Sequence, residues 1–145
     1  MKCLWGLICQ NSIIDSNTNN QSLINILEEI TITSNHLEIK DEKIPISFDL
    51  AYLFYEPKLL NNIKVDAVIE ILDSAINIIE KNKVTFPWEK NKKRMRLNVR
   101  INSLPIKESG TYFFRVKYKK ENEKSYKSSE PLPLDITFQT VIPQK

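Results

Sequence analysis

The stretch Arg94-Met95-Arg96-Leu97-Asn98-Val99-Arg100-Ile101-Asn102 alternates polar and apolar residues without a break. Successive side chains of an extended chain point to opposite sides. Met95, Leu97, Val99 and Ile101 would therefore share one face, and Arg94, Arg96, Asn98, Arg100 and Asn102 the other. Such a period-two pattern predicts a β-strand with one buried and one wet face.

The pattern recurs outward from there. Residues 111–118 direct Tyr112, Phe114, Val116 and Tyr118 inward, and residues 132–140 do the same with Leu132, Leu134, Ile136 and Phe138. Residues 46–55 place Ile46, Phe48, Leu50, Tyr52 and Phe54 on one face. Residues 3–10 are apolar on both faces and read as a strand covered on both sides or crossing a sheet edge. Residues 22–32 carry Ile24, Ile26, Ile30 and Ile32 on one face, and Glu28 interrupts it, which suggests a bulge or a strand end. The Asn-, Ser- and Asp-rich residues 14–21 read as a loop.

Residues 63–80 admit two readings. Val65, Val68, Ile69, Leu72, Ile76 and Ile79 follow helical spacing, and Pro57 could open such a helix. The same residues also read as two strands, 64–72 and 76–84, joined at Asp73-Ser74-Ala75. β-Branched density and the β context favour the strands. About seven or eight short antiparallel strands separated by turn clusters indicate an all-β sandwich or barrel, with residues 1–145 as one domain.

The segment from Leu104 to Val116 adds a specific feature: an alternating strand ends, a polar turn reaches Gly110, and Tyr112 follows two residues later. This resembles the tyrosine corner of immunoglobulin-like domains, in which the Tyr hydroxyl bonds backbone upstream and fixes the arch between two sheets. The resemblance implies that role for Gly110 and Tyr112. Phe114 stands where antibody domains place the second cysteine of their disulfide, and residues 46–55 lack the tryptophan of those domains. The expected core therefore uses aromatic residues instead of a disulfide. Three pieces together, Trp5-Gly6-Leu7-Ile8-Cys9 leading to Ser12-Ile13-Ile14-Asp15, then the residues from Gln21 to Glu28, then the Tyr112 corner, resemble a family of uncharacterised bacterial β-sandwich proteins. That resemblance implies a fold and a bacterial origin, and supplies no catalytic or binding residue.

Composition narrows the function. The chain has only two glycines, where average usage would give about ten. Glycine-rich phosphate loops are thereby excluded, and no cofactor is expected. The net charge of +3 is too small an excess for a dedicated polyanion-binding domain. Cys3 and Cys9 are six residues apart. In a straight strand they share a face at roughly 20 Å, too far for a disulfide, which needs α-carbons within about 7 Å. Two free thiols fit a reducing compartment. Neither a secretory h-region nor a transmembrane run of apolar residues is present, so the expected location is cytoplasmic, with no membrane contact.

A search for chemistry finds little. His36 is the one histidine, and its neighbours Ser34, Asn35 and Glu38 form no nucleophilic signature. Cys3, Cys9 and His36 cannot make a typical zinc site, and the patterned loop of an EF-hand is absent. Glu28-Glu29 and Asp41-Glu42 are adjacent carboxylates read as solvated surface. The basic run Lys90, Lys92, Lys93 and Arg94 follows Trp88 and could contact single-stranded nucleic acid, with the indole stacking on a base and the cations tracking phosphates. Against a larger groove, Arg96 and Arg100 are expected on one sheet and Arg115 and Lys117 on the other. Phe113 and Tyr55 are aromatics expected on wet faces. The first expectation is a non-enzymatic interaction or structural module with a protein partner, the second a nucleic-acid-binding module using the loop after Trp88, and the third a hydrolase with a carboxylate pair. Candidate binding loops are residues 14–21, 88–93 and 119–130.

Overall fold

The computed structural model describes residues 1–34 and 43–140. Among the described residues there is no helix, and ten strands form two sheets packed as a β-sandwich. The first sheet holds β1 (Lys2–Ile14), β2 (Gln21–Ile26), β4 (Ile44–Tyr55) and β7 (Arg94–Leu104), in the order β2-β1-β4-β7. The second holds β3 (Glu29–Ser34), β5 (Ile63–Leu72), β6 (Ile78–Trp88), β8 (Gly110–Lys120) and β10 (Leu132–Thr140), in the order β3-β10-β8-β5-β6. The short β9 (Lys127–Ser128) pairs with β8. There are thus more strands than the seven or eight expected, and β3 runs parallel to β10 while the other pairings are antiparallel.

Alternation builds the core. Phe48, Leu50, Tyr52 and Phe54 of β4 and Leu97 and Ile101 of β7 meet Val65, Ala67, Ile69 and Ile71 of β5, Tyr112, Phe114, Val116 and Tyr118 of β8, and Leu134 and Ile136 of β10. Phe48 and Phe114 join the sheets with ring centroids 5.5 Å apart and planes at 84°. Phe54 and Tyr118 repeat this contact at 4.9 Å and 70°. Both are edge-to-face arrangements, which the ring quadrupoles favour.

Residues 63–80 are strands. β5 lies between β6 and β8, and its outward-facing Val68 and Leu72 are buried as well as its inward residues. A strand covered on both faces reads as a nearly continuous apolar run. That run is what imitated helical spacing. The β5–β6 hairpin turns where Asp73 Oδ1 accepts from the N–H groups of Ala75 and Asn77.

Residues 22–32 do not share one face, because the chain changes sheets at Leu27–Glu28. Leu27 N–H donates to Ile8 O on the first sheet, and the next residue's carbonyl, Glu28 O, accepts from Asp135 N–H on the second. Ile24 and Ile26 on β2 are consequently exposed, whereas Ile30 and Ile32 on β3 pack against the core. The two cysteines also part company. Leu4 is an extra residue between the pairs Cys3↔Phe54 and Trp5↔Leu53, and this bulge reverses the parity of β1. Cys3 shares the inward side with Phe54, and Cys9, opposite Asp49, takes the outer side.

Beyond Cys9 the β1–β2 hairpin leans over the outer side of its own sheet. Ser12 N–H donates to Asp49 Oδ2, Arg100 donates to Gln10 O and Asn11 Oδ1, and Arg96 donates to Asn19 O at 2.7 Å. This cover accounts for the complete burial of Cys9 and Ala51 on an outward-facing side.

Candidate functional site

The residues singled out from sequence fall in two places. Trp88 closes β6 and is fully buried, and its indole Nε1 donates to Lys92 O at 2.6 Å. The loop is then held from both sides: Lys90 N–H donates to Asn62 Oδ1, and Glu56 N–H donates to Lys93 O. Lys92 pairs with Glu89, and the Arg94 guanidinium lies 5.9 Å from the centre of the Tyr55 ring. The four cations are exposed, but the ring expected to stack on a base belongs to the core. At the other place, Tyr112 donates to Glu108 O at 2.7 Å, the local contact the corner requires. A β-carbon on Gly110 would stand 2.8 Å from Ser74 Oγ, whose hydroxyl donates to Thr111 O.

Arg115, Lys117 and Arg100 are paired elsewhere. Glu70 is buried between Arg115 Nε at 2.5 Å and Lys117 Nζ at 3.2 Å. Burial pushes its carboxyl up, and the hydrogen bonds from these two cations outweigh that and leave it below the usual range. Arg100 pairs with Asp49 at 3.0 Å on the other sheet. Among the described residues no group of His, Cys, Asp and Glu could hold a metal ion, and no helix is long and apolar enough to cross a membrane. His36, Asp41 and Glu42 lie outside the described residues.

The feature that sequence reasoning missed is a gap between the sheets. β2 pairs with β1 only from Cys9 to Ile14, and β4 pairs with it on the opposite edge from Lys2 to Cys9. Among the described residues, the other edge of β1 before Ile8 has no strand partner. β10 has a matching open half, since β3 joins it only from Asp135 onward. Both half-edges are open because the chain has left one sheet for the other at Leu27–Glu28. The two differ in one respect. Pro131 and Pro133 blunt the β10 side, whereas no proline guards β1.

Behind the open edge lies a cavity of about 320 Å³ lined by Cys3, Trp5, Gly6, Tyr52, Ser129 and Leu132 among others. Tyr52 is fully buried, and its ring fills the space a side chain on Gly6 would need. Its hydroxyl is closed off from solvent, and Ser129 is the side chain that engages it. Burial holds its ionisation well above the ordinary range, the nearby Cys3 adds to this, and Ser129 opposes it. The Ser129 hydroxyl is itself engaged, accepting from Val116 N–H and donating to Glu130 O. One wall is tied by Cys3 N–H donating to Tyr118 Oη at 3.2 Å. Burial pushes the Cys3 thiol up to about 11, so it is a protonated, unreactive group at neutral pH. A glycine inside an apolar strand was the available signal, because it often marks a close approach.

No protein-family model matches the chain, and no curated protein is similar to it in sequence.

Proposed function

We propose that this chain is a non-enzymatic, immunoglobulin-like interaction module, acting in the cytoplasm, that takes an extended segment of a partner protein onto the open edge of β1. Support for the immunoglobulin-like part comes from β1, β4 and β7 facing β10, β8, β5 and β6, from the Tyr112–Glu108 bond, and from the Phe48–Phe114 contact in place of a disulfide. The observation that carries the binding reading is the unpartnered stretch of β1 over a cavity. Unpaired N–H and C=O groups on an edge are a template for another strand, and pockets beside the edge select side chains.

Register favours pairing near Gly6. Ile8 O already points to the open side, where it accepts from Leu27 N–H. In an antiparallel ladder alternate residues direct their polar groups to the same edge, so Gly6 offers its N–H and C=O there too. The nucleic-acid reading of residues 88–94 lacks a stacking surface, since Trp88 is inside the core. A photo-crosslinking residue at Leu4, which is exposed beside the open edge, tests the proposal in cells of the source organism. One dominant protein adduct is expected, and it should vanish when the crosslinker is moved to Asn102 on β7. Equal labelling from both positions, or none, refutes the reading.

A further inference from the structure

We infer that the outer side of β6, β5 and β8 is a docking face for an extended acidic segment of a protein, one with carboxylates at alternate positions. The face lies on the second sheet and is independent of the β1 edge. Residues directly opposite one another on neighbouring strands point to the same side of a sheet. Glu70 of β5 has Lys81 opposite it on β6 and Arg115 on β8, and Val68 has Lys83 and Lys117. Two rows therefore lie side by side, Lys81-Glu70-Arg115 and Lys83-Val68-Lys117, turned away from the core. They repeat at roughly 7 Å along the strands, and β6 and β8 are roughly 10 Å apart.

One buried carboxylate serves both rows. Glu70 Oε2 meets Arg115 Nε, and Glu70 Oε1 meets Lys117 Nζ. Arg115 engages only its Nε there, and its two terminal nitrogens have no partner among the described residues. Lys81 and Lys83 are exposed and have none either. Asp66, one row further along, accepts from Thr85 and faces Lys119. Glu70 thus fixes Arg115 with its planar fork unoccupied. Such a fork binds a carboxylate through two parallel N–H···O bonds. An extended peptide turns every second side chain to one side with the same roughly 7 Å repeat as the rows. Acids at alternate positions therefore meet both rows at once. Nucleic acid fits less well, because neither row holds a ring on which a base could stack, and Phe113 in the next row stands between Leu72 and Pro133.

The test titrates the whole chain, followed by amide NMR, with acetylated, amidated peptides. These are Thr-Glu-Thr-Glu-Thr-Glu-Thr, its counterpart with Gln for Glu, and Thr-Thr-Glu-Glu-Glu-Thr-Thr, which has the same charge in a block. The alternating Glu peptide should shift the amides of Lys81, Lys83, Arg115 and Lys117 and bind more tightly than either of the others. Arg115→Lys keeps the charge and loses the fork, and should weaken binding about 10-fold, a difference of about 1.4 kcal/mol. Lys81→Glu with Lys83→Glu should abolish it; both side chains are exposed, and a thermal melt checks the fold. Equal affinity for the alternating Glu peptide and either other peptide, undiminished binding in Arg115→Lys, or tighter binding of a deoxythymidine tetranucleotide overturns the inference. So does the absence of any shift on β6 and β8. None of these outcomes bears on the β1 edge, which the crosslink from Leu4 decides.

Discussion

Gly6 and Tyr52 are partners across β1 and β4, and a β-carbon on Gly6 would stand 2.5 Å from Tyr52 Cε1. The ring is fully buried, so it cannot swing aside without moving the core. Gly6→Ala is expected to cost about 1–3 kcal/mol in urea unfolding, the range for overpacked sites. Tyr52→Leu in the same chain should recover part of that loss. A double-mutant cycle with no coupling between the two positions would contradict the contact.

Ile76 adopts a φ of 65° at the end of the β5–β6 turn. Its N–H donates to Asp73 O, and Asp73 N–H donates to Asn77 O, which is a type I turn followed by a left-handed residue. A glycine normally fills that place. For a β-branched residue the left-handed region costs roughly 1–2 kcal/mol. Ile76→Gly should raise the denaturation midpoint by about 1 kcal/mol of stability, and Ile76→Asn by somewhat less. The side chain is half in solvent, so little packing is lost.

Trp88 and Lys92 separate core from surface within one loop. Trp88→Ala should cost about 3–5 kcal/mol, as for other large buried side chains. Lys92→Glu with Lys93→Glu should shift stability by less than about 0.5 kcal/mol, because Trp88 and Glu56 bond to the carbonyls of these lysines and not to their ammonium groups. A salt-dependent gel shift of labelled single-stranded DNA that the charge reversal abolishes would argue for the nucleic-acid alternative instead.

Tyr112→Phe removes the hydroxyl that reaches Glu108 O and keeps the ring in the core. The expected loss is about 1 kcal/mol, the net worth of one such bond. Hydrogen exchange of backbone amides at residues 106–111 should quicken in this variant while β4 and β5 exchange as before.

Acid should weaken the fold through Glu56. Hydrogen bonds from the Met1 α-amino group and from Lys120 bring its carboxyl down from 4.5 to about 2. A group depressed in the folded state contributes fully above its unfolded value, and that contribution fades as pH falls through the folded value. The window here runs from about 4.5 down to about 2. Glu70 acts in the same direction. Glu56→Gln should flatten the dependence of urea midpoint on pH within that window, and an unchanged slope would show that the carboxylate is not paired.

Period-two patterning disclosed the inward faces of β4, β7, β8 and β10, because the outward positions of each strand are less apolar than the inward ones. It disclosed less about β5, whose two covered faces hide the period. The sheet change at Leu27–Glu28 was beyond reach, since it depends on which distant strands, β1 or β10, receive two neighbouring backbone groups. The inserted Leu4 was equally silent, and one residue sufficed to send Cys3 and Cys9 to opposite sides. Trp88 was misjudged because its neighbours in sequence are lysines, whereas its neighbours in space are core. The cavity joins residues of β1, β4 and the β9–β10 link, and no local pattern marks a space between such distant segments.

The chain's step between sheets acts like a rivet. One side of the window is clamped where Leu27 and Glu28 grip separate layers, and the other where Tyr118 and Lys127 hold Cys3 and Met1. Between those clamps, among the described residues, no backbone hydrogen bond joins the open edge of β1 to another strand. A visiting strand would meet an aperture bounded at both ends, and segments much longer than that aperture would have to leave it on either side.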